Sequence, residues 1–117
     1  MRTLILAGVL AAIAMAARAD DDSARDANRA DVRCILGMSV MGRNDTYKQW
    51  SQFGVFYYTG RLLGRDPGID LAAAIKREVR QMAPGEYNGE IKRCSDALGE
   101  TSRALEAMKP SMGRGVG

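Results

Sequence analysis

The sequence contains no histidine, and this absence limits the chemistry open to the protein. Histidine is the usual general base near neutral pH, the partner of catalytic serines and cysteines, and a common zinc ligand. Glycine-rich phosphate loops, dinucleotide fingerprints and nucleophile elbows are also absent. We therefore predict a protein that is not an enzyme and that uses no metal or other cofactor. A carboxylate-dependent hydrolase is the enzymatic alternative, although capping and solubility account for the positions of the acids.

Long apolar runs are also scarce, and the one that stands out, residues 4–17, follows a single basic residue, Arg2. The next triplet, Ala17-Arg18-Ala19, has the small residues of a signal-peptidase site, so residues 1–19 are predicted to be a signal peptide. A retained membrane anchor is the alternative, but the run is shorter than the roughly 20 residues that a bilayer requires. We expect a periplasmic or secreted protein with no stable membrane insertion after leader removal.

Cysteine is limited to Cys34 and Cys94, which are 60 residues apart. An exported protein meets an oxidising environment, so a structural disulfide between them is the default prediction. Closing a loop of this length stabilises a fold by roughly 4 kcal/mol at the upper end. A redox-active pair is the alternative, but a Cys-x-x-Cys motif and an adjacent histidine are both missing.

Excess charge of either sign is nearly absent once the leader is set aside. The sequence has 17 basic and 14 acidic residues; Arg2 and Arg18 belong to the leader and no acid does, so the net charge falls from +3 to +1. The remaining 98 residues contain no basic run of five or more. Because nucleic acids and anionic membranes are bound through clustered Lys and Arg, neither is predicted as a partner.

Aromatic residues make up only 6% of the sequence, and most of them lie between residues 46 and 64. Apolar residues recur there at helical spacing: Trp50, Phe53 and Tyr57, together with Phe53, Phe56, Gly60 and Leu63, form one stripe, and Val55, Tyr58 and Leu62 add a second. A helix that is apolar nearly all round is normally buried, so we predict a central helix wrapped by three others. A strand through residues 55–58 is the alternative, but the flanking residues keep helical spacing.

The ends of the central helix carry local signals. Thr46 and Gln49 match a capping box, and Gly64 suits a left-handed stop before Asp66-Pro67. Asn44-Asp45-Thr46 also fits a glycosylation sequon, but a helix cap accounts for the same residues.

Three further helices are predicted from their apolar faces. The first ends at Gly42 and the third, capped by Asp66 or Asp70, ends at residues 83–85, whereas the fourth is bounded by Pro110. Their inward residues are Ala27, Ala30, Cys34, Met38 and Met41 in the first, with Val32 and Ile35 alongside, Leu71, Ile75, Val79 and Met82 in the third, and Tyr87, Ile91, Cys94, Leu98, Thr101, Leu105 and Met108 in the fourth. The short link makes the second and third helices antiparallel neighbours. The fold class is thus all-α, a small four-helix domain over residues 20–109 with a flexible tail over residues 110–117.

Two groups on the central helix are candidates for binding a partner. Trp50, Tyr57 and Tyr58 would form an aromatic patch if one edge of the helix is uncovered; otherwise they fill the core. Arg61 and Arg65, one turn apart, suit a carboxylate or phosphate, unless they pair with local acids such as Asp66 or Asp70.

The stretch GVFYYTGRLLGRDPGIDLAAAI, residues 54–75, lies between the Arg-Cys pairs ending at Cys34 and Cys94. With them it resembles small uncharacterised exported helical proteins of Gram-negative bacteria. The layout of a leader, about four helices and two cysteines is also similar to the HdeA/HdeB-type periplasmic acid-stress chaperones, although Val32-Arg33-Cys34 replaces their Trp-Thr-Cys context. This resemblance implies that acid loosens packing and exposes the aromatic helix. The same layout is similar to periplasmic immunity proteins, which bind a specific toxin.

These observations predict a non-catalytic periplasmic interaction module, chaperone-like in character, with another periplasmic protein as its partner. An immunity or inhibitor protein is the alternative. The oligomeric state does not follow from the sequence patterns.

Overall fold

A computed structural model of the protein describes the backbone of residues 2–113 and the side chains of residues 20–113. It contains four α-helices: α1 over Arg2–Met41, α2 over Lys48–Arg65, α3 over Leu71–Gln81 and α4 over Glu86–Gly113. A short 3₁₀ turn, Asp45–Tyr47, precedes α2. The part of the chain that is described contains no strand, which confirms the all-α fold class. The side chains of the predicted signal peptide and residues 114–117 of the predicted tail lie outside the described residues.

The first helix, α1, is the element on which the others pack. Helices α2, α3 and α4 each contact α1, and α2 also meets α4. The expectation that the aromatic α2 would be the wrapped centre is therefore wrong. The core residues are Val32, Cys34, Ile35 and Met38 from α1, Tyr58 and Leu62 from α2, Ala74 from α3, and Cys94 and Leu98 from α4.

A disulfide joins α1 to α4. Cys34 and Cys94 are both fully buried and bonded, with their Cα atoms 5.4 Å apart. The predicted pairing is confirmed, and it ties the first helix to the last across 60 residues of chain. Disulfides are typical of proteins in oxidising compartments. Among the described residues, no helix is apolar over a length that would cross a bilayer.

One face of α2 lies tightly against α1. Its buried residues are Ser51, Gly54, Tyr58 and Leu62. A Cβ on Gly54 would lie 2.9 Å from Cγ of Met38, so only glycine allows this approach. The Ser51 hydroxyl donates a hydrogen bond to the Met38 carbonyl oxygen nearby. Small residues therefore select the buried face, and the large side chains of Phe53 and Phe56 lie on the outside.

The caps of α2 differ from those predicted. The predicted capping box of Thr46 and Gln49 is wrong, since α2 begins after Tyr47, which makes no side-chain capping hydrogen bond. Asn44 caps the preceding 3₁₀ turn instead, and its side chain accepts a 3.0 Å hydrogen bond from the backbone amide of Thr46. Gly64 does not adopt a left-handed conformation, since no described glycine has positive φ, and α2 continues to Arg65. The predicted stop at Gly64 is therefore wrong. The cap of α3 is Asp70, which accepts a 3.0 Å hydrogen bond from the Ala73 amide.

The third helix packs on α1 rather than along α2, so the predicted antiparallel pairing of α2 and α3 is wrong. Its deepest residues are Ala74 and Glu78, whereas Val79 is half exposed. Met82, just beyond the helix, is buried as predicted. The face turned toward α1 is thus shifted from the predicted apolar face, because Glu78 meets arginines of α1.

The fourth helix follows its predicted seam only in part. Cys94 and Leu98 are buried and Tyr87, Ile91 and Thr101 are half-buried, but Leu105 and Met108 are exposed. The helix also continues through Pro110 to Gly113, so Pro110 does not end it. Proline is tolerated at this exposed end, where the missing amide leaves one helical hydrogen bond unmade in contact with water. The last three turns of α4 project beyond the side chains that cover the core.

Candidate interaction surfaces

The aromatic residues predicted to bind a partner lie at the junction of α2 with α4. Tyr58 is buried, and its hydroxyl donates a 2.6 Å hydrogen bond to the carbonyl oxygen of Cys94. Burial raises the pKa of Tyr58 above its usual value, because the ionised phenolate would lose its hydration. Tyr58 is therefore a neutral core residue at physiological pH and presents no surface to a partner.

Trp50 and Tyr57 are half-buried beside Tyr58. The Trp50 indole N–H donates a 3.0 Å hydrogen bond to the Ser95 hydroxyl, and the Tyr57 and Thr101 hydroxyls are 3.2 Å apart. Both polar tips thus reach α4, as expected for aromatic residues that are buried with a polar end. Their exposed edges are small, and whether a partner contacts them stays a prediction.

The predicted arginine pair meets a buried acid from another helix. The Arg65 guanidinium is 2.9 Å from a carboxylate oxygen of Asp31, which is only 3% exposed, and the Arg61 Nε is 3.8 Å from the other oxygen. Arg65 also donates a 2.9 Å hydrogen bond to the side-chain oxygen of Asn28. The expected local pairing with Asp66 or Asp70 is replaced by a pairing with α1. Arg61 remains half exposed over the ring of Tyr57, where an anion has access to it.

A second buried carboxylate joins α3 to α1. Glu78 is 3% exposed, and its two oxygens accept hydrogen bonds of 2.8 Å from Arg29 and 3.0 Å from Arg33. Arg33 also reaches Glu90 of α4 at 3.4 Å, and the hydrogen bond that Arg33 donates to Glu78 raises the pKa of Arg33 further above its ordinary value. The guanidinium group of Arg33, on α1, therefore links α1 to both α3 and α4. The sequence patterns missed both buried acids, since neither Asp31 nor Glu78 differs locally from a solvated charge.

The exposed aromatic surface is on the far side of α2 from the core. We call it the α2 stripe; its members are Phe53, Phe56, Gly60, Leu63 and Gly64. Phe56 is 77% exposed, Phe53 47% and Leu63 40%. This is one of the two apolar faces that the sequence predicted for α2, but it is turned to solvent instead of the core. Large exposed apolar side chains that share one face indicate an interaction surface.

The two glycines of the α2 stripe make no close contact with the described side chains that would require a glycine. A Cβ on Gly60 or on Gly64 would meet nothing within 4 Å, and neither residue has positive φ. Glycine inside a helix is less favourable than alanine by about 1 kcal/mol. Gly54 and Gly42, by contrast, lie against side chains of neighbouring helices. The contrast identifies Gly60 and Gly64 as positions where the monomer alone would favour a larger residue.

A second exposed apolar face lies at the end of α4. We call Leu105, Met108 and Met112 the α4 stripe, since steps of three and four place them on one side of the helix. Each is about half exposed. The stripe continues the seam through Leu98 and Thr101 beyond the end of the packed bundle. Methionine side chains are flexible and polarisable, so such a surface adapts to partners of different shape.

A groove of about 340 Å³ runs between α1 and α3. Its apolar lining comes from Val32, Ile69 and Ala74. Two of its acids already accept hydrogen bonds. Glu78 accepts from two arginines, and Asp66 accepts a 3.1 Å hydrogen bond from the side-chain amide of Asn28. No group of three or more acids or cysteines arranged for a metal ion occurs among the described residues. The groove thus offers a short apolar strip beside two acids, Asp66 and Glu78, that are already hydrogen-bonded within the protein.

Comparisons with family models, with curated proteins and with solved structures find no match to this chain.

Proposed function

We propose that the protein is a non-catalytic interaction module of the periplasm that binds non-native proteins in a chaperone-like manner. The observation that carries this proposal is the α4 stripe, an apolar helix face that continues the core seam into solvent. Unfolded chains expose apolar segments without a fixed shape. A narrow, methionine-containing helix face suits such partners because its side chains can adapt to each segment.

The interior of the protein supports a binding role over a catalytic one. The buried acids Asp31 and Glu78 are engaged by arginines, and so are not placed to contact a substrate. The disulfide and the buried ion pairs hold the helices together, which leaves the end of α4 as a projecting arm on a fixed base. The periplasmic location is supported by the leader pattern and by a disulfide, which forms in oxidising compartments.

Suppression of client aggregation tests the proposal. Malate dehydrogenase is unfolded by heat with the purified, oxidised protein, and light scattering is recorded at neutral pH. We expect protection by the native sequence and at least a several-fold loss in the variant L105Q/M108Q/M112Q. The matched control, E106Q/K109Q, alters the exposed ion pair on the same helix segment and should protect normally. Equal protection by both variants would contradict the role of the α4 stripe.

The same assay distinguishes permanent from acid-triggered binding. Because the α4 stripe is exposed in the folded protein, protection should already be present at pH 7. In the acid-triggered alternative, protonation of carboxylates loosens the packing first, and protection would appear only at low pH together with loss of tertiary structure. An acid-only response with a flat near-ultraviolet dichroism spectrum would assign binding to the loosened state rather than to the α4 stripe.

A further inference from the structure

We propose that the α2 stripe is the interface of a homodimer in which two copies of α2 pack antiparallel about a two-fold axis at the level of Tyr58. Phe56 lies two residues before Tyr58 and Gly60 lies two residues after it. In the antiparallel pair, each Phe56 therefore comes level with the partner's Gly60. Phe53 lies five residues before Tyr58 and Leu63 five residues after it, so each Phe53 comes level with the partner's Leu63. The stripe is therefore complementary to itself.

The pairing matches large side chains with small ones. Phe56 is the most exposed large apolar residue in the described part of the chain, and it would lie over the partner's Gly60. Phe53 would lie beside the partner's Leu63 and over the partner's Gly64. Because a Cβ at Gly60 or Gly64 would meet only open space in the monomer, both positions are free to receive a ring from outside. The two-fold symmetry gives each contact twice, as isologous dimers require.

The position of the stripe leaves room for a second copy. The buried residues of α2, Ser51, Gly54, Tyr58 and Leu62, face α1 and α4, and the stripe occupies the opposite side of the helix. Nothing in the described part of the chain covers the stripe's phenylalanines. The antiparallel arrangement also brings Lys48, at the exposed start of α2, near the partner's acidic turn between Asp66 and Asp70.

The available area suits a weak dimer. The exposed parts of Phe53, Phe56 and Leu63 sum to about 300 Å² per copy, taking about 200 Å² for a whole aromatic side chain. Two copies therefore contribute about 600 Å² of apolar surface from these three residues, which is below the roughly 1,000 Å² of a strong specific interface and within the range of weak ones. The dimer should therefore be weak and dissociate on dilution.

Sedimentation equilibrium over a concentration series tests the dimer in the purified, oxidised protein. We expect G60Q to weaken association at least tenfold while raising the melting temperature, because the new side chain fills the notch and improves helix propensity. The control G89Q changes a helical glycine of α4 that is equally open, and should leave association unchanged. A protein that stays monomeric to about 1 mM, the weak limit of measurable affinity, overturns the proposal, as does a dimer insensitive to G60Q.

Mixing two monomeric variants tests the register. F56K and G60E should each be monomeric, because each variant places two like charges close to the two-fold axis, and G60E also fills the notch. An equimolar mixture should recover dimers, since the introduced ammonium group of F56K comes level with the introduced carboxylate of G60E on the partner. If the mixture contains no more dimer than either variant alone, the antiparallel register is refuted. The α4 stripe is unchanged in every variant, so failure of the dimer leaves the client-binding proposal standing, and the converse holds as well.

Discussion

The Tyr58 hydroxyl on α2 and the carbonyl oxygen of Cys94 on α4 are joined by a buried 2.6 Å hydrogen bond. This bond connects the aromatic helix to the disulfide that ties α4 to α1. Tyr58, Cys94 and Cys34 consequently form one packed unit at the place where three helices meet.

Removing the hydroxyl should weaken this unit in a pH-dependent way. Y58F is expected to lose about 1 kcal/mol of unfolding free energy at pH 7, the usual value of one hydrogen bond. Burial raises the pKa of Tyr58, so its stabilisation is complete below its ordinary value of about 10 and is lost as pH rises through the folded-state pKa. Urea denaturation between pH 7 and 11 should therefore show the difference between native protein and Y58F narrowing above pH 10. The exposed Tyr47 provides the control, and Y47F should keep the alkaline loss.

The disulfide should supply a large share of the stability. Because it closes a loop of 60 residues, C34A/C94A is expected to lose up to about 4 kcal/mol of unfolding free energy. Chemical denaturation of the native protein with and without reductant, compared with the double variant, measures this loss. The reduced protein and C34A/C94A should agree closely. A loss below about 1 kcal/mol would mean that helix packing alone holds α4 on α1, given the few kcal/mol expected from loop closure.

The buried Glu78 should matter far more than exposed ion pairs. E78Q removes the carboxylate charge that Arg29 and Arg33 share, while Arg33 keeps Glu90, and losing charge-assisted hydrogen bonds of this kind costs about 1.5–3 kcal/mol. E106Q removes an exposed pair with Lys109, and should change unfolding free energy by less than about 0.5 kcal/mol. Thermal and urea denaturation of both variants provide the comparison. Similar behaviour of the two would show that α3 is held on α1 by apolar contacts instead.

Alanine substitutions at Gly54, which lies where α1 and α2 approach closely, and at Gly64, which lies in open space, should change the stability in opposite directions. G54A places a methyl group against Met38, which is fully buried, and overpacking costs about 1–3 kcal/mol. G64A adds a methyl group in open space, and should raise stability by about 1 kcal/mol through helix propensity. Melting temperatures recorded at a protein concentration where only monomers are present separate the two effects. A destabilising G64A or a neutral G54A would contradict the helix contacts described here.

The predicted signal peptide specifies which residue the mature protein should begin with. Protein recovered from the periplasm of an expressing bacterium should begin at Asp20, as intact mass spectrometry will show. Substituting arginine for Ala17 and Ala19 should block this processing, because the peptidase requires small residues there. An exported protein that still carries Met1 would indicate a retained anchor.

Several features of the fold followed from local patterns in the sequence. The end of α1 before Gly42, the cap at Asp70 and the pairing of Cys34 with Cys94 each depend on residues close in sequence or on a unique pair. The seam of α4 was correct where another helix covers it and failed at Leu105 and Met108. Periodicity identifies an apolar face, but whether a neighbour exists to cover that face is a property of the whole chain.

The candidate surfaces could not be predicted in the same way. Helix α2 is apolar around most of its circumference, so its pattern fits several orientations equally well. The orientation is set by Ser51 and Gly54, whose small size lets α2 approach Met38, and it turns Phe53 and Phe56 outward. The buried acids were missed for a similar reason: Asp31 and Glu78 become core residues only because arginines from other parts of the sequence reach them.

The sequence by itself determined that the chain forms helices, roughly where they begin and end, and which two sulfur atoms are bonded, because spacing, caps and a unique cysteine pair are local or unambiguous. Only the tertiary structure decided which faces of α2 and α4 remain open to a partner. That decision depends on the closest approach that backbones can make and on charges brought together from distant positions, which no short stretch of sequence contains.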